Sequence, residues 1–285
     1  MSARLIAAAG AALALGTLQA SAAPRAATPL LAFSAEESGN TDIYIAALDG
    51  SGLRRLTTAP GADFDPSWSP DRMRIAYRCQ KGTSSDICVV TLARGASVDV
   101  TNTPGDEWSP AWSRDGEWIA FFSDRADVGS IWLMHPDGSA VHRLVAGGEY
   151  PSWSADGKLL AYSDLRTRDI AVASVDGTHK RLLAHHAAYD GSPSISPDGR
   201  YIAFDSQRAF RHVVERGIGP EFEIYRVGVL GGSVRRLTHN RVEDRLPDLG
   251  PGDRVIWSEG GQLWIADADG RHARRLPLHG TFPDW

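Results

Sequence analysis

The phrase Pro-Ser-Trp-Ser-Ala-Asp-Gly-Lys-Leu-Leu-Ala-Tyr-Ser, which begins at Pro151, returns in altered form along most of this chain. Other copies begin at Pro66, Pro110, Pro193 and, degraded, at Pro247, and the sequence closes on a bare fragment, Pro283-Asp284-Trp285. Successive prolines lie 44, 41, 42, 54 and 36 residues apart. A self-similar period of about 40 residues is the mark of a propeller or solenoid array, in which one repeat cannot bury its apolar faces alone.

The contents of a repeat decide between the two. Pro-x-Trp-Ser reads as a first strand, and Pro-Asp-Gly after it as a tight turn, with Pro presetting φ, Asp bonding the local backbone and Gly accepting positive φ. Ile-Ala-Phe-x-Ser alternates with period 2 and reads as a second strand. A third follows in Asp42-Ile43-Tyr44-Ile45, Ser130-Ile131-Trp132-Leu133, Asp169-Ile170-Ala171-Val172, Glu223-Ile224-Tyr225-Arg226 and Gln262-Leu263-Trp264-Ile265. Asp-Gly or Gly-Gly pairs (49–50, 137–138, 176–177, 231–232, 269–270) then close a hairpin, read as two-residue turns with positive φ at both central positions. The fourth strand is basic, as in Leu53-Arg54-Arg55-Leu56 and Val234-Arg235-Arg236-Leu237. Four antiparallel strands per repeat make a propeller blade.

The two ends set the number of blades. Trp285 ends a first strand that has no partners, while residues 30–57 supply strands two to four with no first strand before them. Joined, they complete a sixth blade. The sequence therefore predicts an all-β, six-bladed propeller over residues 30–285, closed by N- and C-terminal strands that share one blade, so that no sheet edge stays open.

The repeated PxWSPDGxxIAFxS, with DIY and DGxxxRRLT after it, resembles the WD40-like (PD40) repeat of TolB-like propellers, over roughly residues 30 to 285. The resemblance implies a propeller that binds a protein partner in the cell envelope, with a peptidoglycan-associated lipoprotein as one such partner, and here without the N-terminal α/β domain of that family. Related repeats also occur in propellers of prolyl-oligopeptidase-like enzymes and oligosaccharide lyases. One departure from the pattern is Arg72, which stands where the first turn should carry glycine.

Residues 1–22 stand apart: Arg4, an apolar run from Leu5 to Leu18, then Ala20-Ser21-Ala22. This is the pattern of a cleaved signal peptide, with 23–29 as a short leader and no membrane span. The expected product is periplasmic, or secreted where there is no outer membrane, and monomeric. Losing Arg4 takes the formal net charge from −5 to −6, against a nucleic-acid partner. In an oxidising compartment the only two cysteines, Cys79 and Cys88, read as a disulfide across the hairpin between strands two and three. A metal pair or a catalytic thiol is the other reading, but neither CxxC spacing nor a nearby histidine accompanies it.

The basic residues of strand four are spread one cluster per blade, which reads as edge protection. The acidic residues gather instead where each blade leads into the next: Asp63 and Asp65, Asp106 and Glu107, Glu149, Asp190, and Glu243 and Asp244. Phe64, Trp108, Tyr150, Tyr189 and Phe282 are interleaved with them. These connections are expected to ring one channel mouth, together with arginines of the strand two to three loops, including Arg208 and Arg211 in the long 206–222 loop. Two readings stand: carboxylates that cap local turns, or a docking rim with aromatic anchors and charge steering. A divalent cation among the carboxylates is a third, without any DxDxDG spacing to support it. GxSxG, HExxH and phosphate-binding glycine loops are all missing from the sequence. The expectation is thus a non-catalytic exported binding protein with no cofactor and no metal. The alternatives are a carbohydrate-active lyase or hydrolase using rim carboxylates, and a structural module of an envelope assembly.

Overall fold

The computed structural model describes residues 29–285 apart from Ser38, Arg94, Asp127, residues 211–221 and Arg241. The expected signal peptide, the leader up to residue 28 and Arg211 lie outside the described residues. Six four-stranded antiparallel sheets follow one another around a ring. Blade 1 contains Leu30–Glu36, Thr41–Ala47 and Arg54–Arg55, and takes Thr281–Asp284 as its inner strand. Blade 2 runs Asp63–Trp68, Arg74–Lys81, Ser84–Thr91, Ser97–Asp99, and blade 3 runs Glu107–Trp112, Ile119–Ser123, Ser130–Met134, His142–Ala146. Blade 4 has Gly148–Trp153, Leu159–Asp164, Ile170–Ser174, Arg181–Leu182, and blade 5 has Asp190–Ile195, Tyr201–Ser206, Glu223–Gly228, Arg235–Arg236. Blade 6 is Asp244–Gly250, Arg254–Glu259, Gln262–Asp267 and Arg274–His279. Among the described residues no helix is long and apolar enough to cross a membrane.

The core lies between blades, because alternate residues of a strand face opposite neighbours. In blade 1, Leu31, Phe33 and Ala35 pack on Ile256, Leu263 and Leu276 of blade 6, whereas Ala32, Ile43 and Ile45 pack on Trp68, Ile75 and Tyr77 of blade 2. Each blade is therefore stable only inside the ring. Ring closure is by pairing Ala32 with Asp284 and Ser34 with Thr281.

The repeat motif has a direct physical reading. Ser69, Ser113, Ser154 and Ser196 each donate their hydroxyl to the aspartate two residues on (Asp71, Asp115, Asp156, Asp198) at 2.5 to 2.7 Å. Each serine oxygen also accepts a backbone N–H where the second strand begins, from Arg74, Trp118, Leu159 and Tyr201 in turn. These hydroxyl bonds hold the four carboxyls below the usual carboxylate range. Arg72 keeps the same turn at φ 59° in place of glycine. Its guanidinium lies 4.0 Å from the Trp68 ring centroid and donates to the Leu30 carbonyl, contacts that offset the backbone strain.

The Asp-Gly hairpins differ from expectation. Only the glycine is left-handed, at φ 80° for Gly50, 82° for Gly138, 77° for Gly177 and 84° for Gly270; both central residues are left-handed only at Gly231-Gly232. Gly50 N donates to Ala47 O and Ala47 N to Ser51 O, which makes a three-residue loop of a type I turn plus a left-handed glycine. Asp49 contributes by accepting the backbone N–H and hydroxyl of Ser51.

Proline on an inner strand is tolerated because each sits at a bulge. Asp65 and Pro66 together oppose Tyr77, and the same slip recurs at Ser109, Tyr150, Ser192, Leu246 and Phe282. All six pre-proline residues have φ between 48° and 57°. The bulge turns the following residues towards the central channel.

Candidate functional site

The carboxylates expected on a rim are placed one step deeper. Asp63, Glu107, Asp190 and Asp244 form the first pair of each inner ladder, opposite Cys79, Ser123, Ser206 and Glu259, and all are at most 1% exposed. Glu107 Oε1 accepts from Ser123 Oγ (2.7 Å), Thr103 Oγ1 (2.8 Å) and Arg125 Nη2 (3.1 Å). Asp190 accepts from Ser206 Oγ at 2.5 Å and from Arg208, which is thereby drawn inward beside the Phe204 and Tyr225 rings. Asp244 accepts from Trp257 Nε1 (2.9 Å) and Asn240 Nδ2 (3.0 Å). Burial raises the carboxyls of Asp63 and Asp190 to about 6 and that of Asp244 to about 7. These four carboxylates and Arg208 are enclosed by the blades and do not present charge at the surface. That corrects the picture of an acidic funnel, since in blades 3 and 5 the second strand's terminal serine and the arginine two residues beyond it fold over the carboxylate.

The other rim residues are partly exposed. Glu149 accepts from the Tyr189 hydroxyl at 2.8 Å, and burial raises its carboxyl. Phe64 meets Phe282 edge-on at 6.4 Å, Trp108 stacks on Phe122 at 3.9 Å, and the Arg78 guanidinium lies between Phe64 (5.6 Å) and Trp108 (5.9 Å). Tyr150 points elsewhere, into the channel. Cys79 and Cys88 form the expected disulfide, with Cα atoms 5.8 Å apart.

The channel itself holds a cavity of about 730 Å³, within the range of ligand sites. Its walls are the C-terminal halves of all six inner strands, including Trp68, Trp112, Trp153 and Trp285, and it reaches the mouth formed by the strand one to two turns, where Arg72 and Arg114 stand. This is the mouth opposite the one expected from sequence. Arg114 is exposed and makes no hydrogen bond or ion pair among the described residues.

A ring of latches holds the channel wall. The residue after each inner proline accepts the N–H of the next blade's inner strand: Ser67 from Trp112, Ser152 from Ile195, Ser194 from Leu249, Asp248 from Trp285 and Asp284 from Trp68, at 2.7 to 3.1 Å. Ala111 has no side-chain oxygen, and there Trp153 Nε1 donates to the Ala111 carbonyl instead. Serine serves on blades 2, 4 and 5, but the seam strand is held on both flanks by aspartate. Burial raises both carboxyls, and that of Asp284 rises further because Asp248 lies beside it. Among the described residues no group of three or more His, Cys, Asp or Glu is arranged to hold a metal ion.

Asp248, Arg114, Trp68, Trp112 and Trp153 were not singled out from the sequence as site residues, and Asp284 and Trp285 only as the fragment that closes the seam. A signal was present, because the residue after the proline changes from Ser or Ala to Asp only at Pro247 and Pro283.

Among known proteins, an uncharacterized protein of Agrobacterium fabrum is 31% identical over 142 residues, covering 47% of this chain and 45% of that protein. A TolB homolog of Chlorobium luteolum is 27% identical over 179 residues, 62% of this chain and 31% of the homolog. The chain thus spans less than half the length of the curated relatives it matches. The crystal structure of TolB from Acinetobacter baumannii superposes with a TM-score of 0.73 at 22% identity, over 90% of this chain and 66% of that one, a likeness of fold. The family model of the TolB beta propeller domain matches residues 74–217, and the chain belongs to that PD40 family.

Proposed function

We propose that this chain is an exported, non-catalytic binding protein whose central channel receives a segment of a protein partner in the cell envelope. The carrying observation is the cavity of about 730 Å³, walled by aromatic and proline side chains from every inner strand and flanked at its mouth by Arg72 and Arg114. Rigid aromatic walls give contact area at little entropic cost, and an unpaired guanidinium at the rim steers and orients a polar segment. At the other end Glu107, Asp190 and Asp244 are committed to Ser, Thr, Trp and Arg partners, which favours a structural role for them over acid–base chemistry. Half-exposed Phe64 and Trp108, with Arg78 between them, are the part of the opposite mouth that remains available for contact. Periplasmic location, a monomeric state and a lipoprotein partner belong to the same proposal; the TolB-like family supports the location and a protein partner.

The test is affinity capture from envelope extract with the intact protein beside Ala111→Phe, which fills the channel at the one ring position without a side-chain latch. A partner held by the first and lost by the second supports the reading. A partner held equally by both, or by neither, refutes channel docking.

A further inference from the structure

We propose that the seam of the ring is a proton-operated clasp: Asp248 and Asp284 hold the terminal inner strand while one proton sits on the pair, and loosen it when both carboxyls ionise. Thr281–Asp284 is joined to the rest of blade 1 by strand pairing alone, Asp284 with Ala32 and Thr281 with Ser34. Its release opens the ring without breaking the chain. Phe282, Pro283, Asp284 and Trp285 belong to the cavity wall, so the state of this strand decides whether the cavity is closed on that side.

Both latches on the strand end in carboxylates. Asp284 Oδ2 accepts the Trp68 N–H of blade 2 at 2.7 Å, and Asp248 accepts the Trp285 N–H at 3.1 Å and the Ser194 hydroxyl at 2.7 Å. The nitrogen of Trp285 is bonded to the carbonyl carbon of Asp284, which puts the two carboxyl groups beside each other along one strand edge. Both residues line the cavity and neither is fully buried, so water and protons reach them. Ser67, Ser152 and Ser194 serve the same role on blades 2, 4 and 5 with a hydroxyl, which does not titrate in the range of a carboxyl. Two carboxylates side by side in a partly dry wall repel, and burial penalises the charge of each.

The cations that face the pair are Arg72, on the strand one to two turn of blade 2, and Arg114, on that of blade 3. Among the described residues neither forms an ion pair with it: Arg72 donates to the Leu30 carbonyl and lies over the Trp68 ring, and Arg114 is exposed. Burial therefore prevails, raising the Asp248 carboxyl to about 6 and, together with the Asp248 charge, that of Asp284 to about 8. A carboxyl on a released strand ionises at about 4. The closed seam thus binds its proton more tightly than the open one, and the stability this gives is full in acid and is lost as pH rises through about 8.

Amide hydrogen exchange, resolved by NMR in the intact protein from pH 5 to 9 and divided by the intrinsic rate at each pH, reads the clasp at the two donors it holds, Trp68 and Trp285. The Trp112 and Ile195 amides, which donate to serine latches, are the reference. The expected result is that protection of Trp68 and Trp285 falls, relative to the reference, by about tenfold per pH unit between 6 and 8 and levels off above 8. In Asp284→Asn, which keeps an acceptor for the Trp68 N–H, the excess slope disappears. In Asp248→Ser, which installs the hydroxyl of the other blades, Asp284 no longer feels a neighbouring charge and the levelling comes at a lower pH. Seam and reference amides that fall in parallel assign the titration to the whole ring and overturn the clasp. An excess slope that survives in Asp284→Asn overturns it as well, and an unchanged levelling point in Asp248→Ser overturns the pairing of the two carboxyls.

Discussion

Removing the last five residues tests the closure of the ring in a way no other truncation does. Trp285 packs on the Leu31–Phe33–Ile265 cluster, lies over Gly250, where an added Cβ would come within 2.2 Å of the indole, and carries Arg254 at 5.0 Å from its centroid. Trp285→Ala removes a half-buried ring, so its cost is about 2–3 kcal/mol, below the figure for a fully enclosed tryptophan. At about 2–4 °C per kcal/mol for a chain of this size, Tm falls by roughly 4–12 °C. Deleting residues 281–285 goes further. Trp68 N–H loses its acceptor, Asp248 loses the Trp285 donor, and Ala32 and Ser34 lose their ladder. Each bond to a carboxylate is worth about 1.5–3 kcal/mol, which brings the total to roughly 5–9 kcal/mol. That is comparable to the whole stability of a typical domain, about 5–15 kcal/mol. The expected outcome in calorimetry is loss of the single cooperative transition; circular dichroism should still register strand content in blades 2 to 5. A truncated protein melting cooperatively within about 2 °C of the intact chain would refute the reasoning.

Two further predictions follow from particular groups. Burial raises the Asp244 carboxyl to about 7, so the folded state holds that proton more tightly than the unfolded chain does, and the resulting stability is full at low pH and lost as pH rises through about 7. Asp244→Asn should therefore flatten the fall in urea-unfolding free energy between pH 5 and 8 by a few kcal/mol at most, since each tenfold difference in proton affinity is worth roughly 1.4 kcal/mol; an unchanged slope contradicts the assignment. Replacing both Cys79 and Cys88 by Ala opens a cross-link of sequence separation 9 between buried positions, and costs about 2–3 kcal/mol by chain entropy. Thermal denaturation without reductant reads this directly, and a Tm equal to that of the parent would show that the cross-link adds nothing.

What was legible in the sequence was whatever the repeat propagates. Ser-x-Asp-Gly gives the turn between strands one and two, the alternation of Ile75-Ala76-Tyr77 gives a strand with two buried faces, and Trp285 without partners gives the seam. Depth was not legible. Asp190 is the last residue before Gly191 and Ser192, and spacing alone cannot say whether it stands outside the ladder or forms its first rung. The answer lies in Ser206 and Arg208, which are far away in sequence and close over it; the pair Ser123 and Arg125 does the same for Glu107. A serine followed two residues later by arginine at the end of strand two was therefore the readable sign that the carboxylate is enclosed. The side of the channel that stays open was also beyond the sequence, because it depends on how the six inner strands converge.

Those bulges make the protein more than a six-fold object. The backbone at each is the same, and a non-glycine residue held at left-handed φ costs on the order of 1–2 kcal/mol, so the strain is spread evenly around the circle. The side chains are not the same: Asp65, Ser109 and Ser192 are polar, Leu246 and Phe282 are apolar, and Tyr150 is both. Repetition therefore builds the wall, while these six positions break its rotational symmetry. A body that slides down the axis meets acidic, hydroxyl, aromatic and aliphatic residues in a fixed order around it, and only one rotation about that axis satisfies them all. The ring can thus be assembled from near-identical parts and still read the orientation of what it holds.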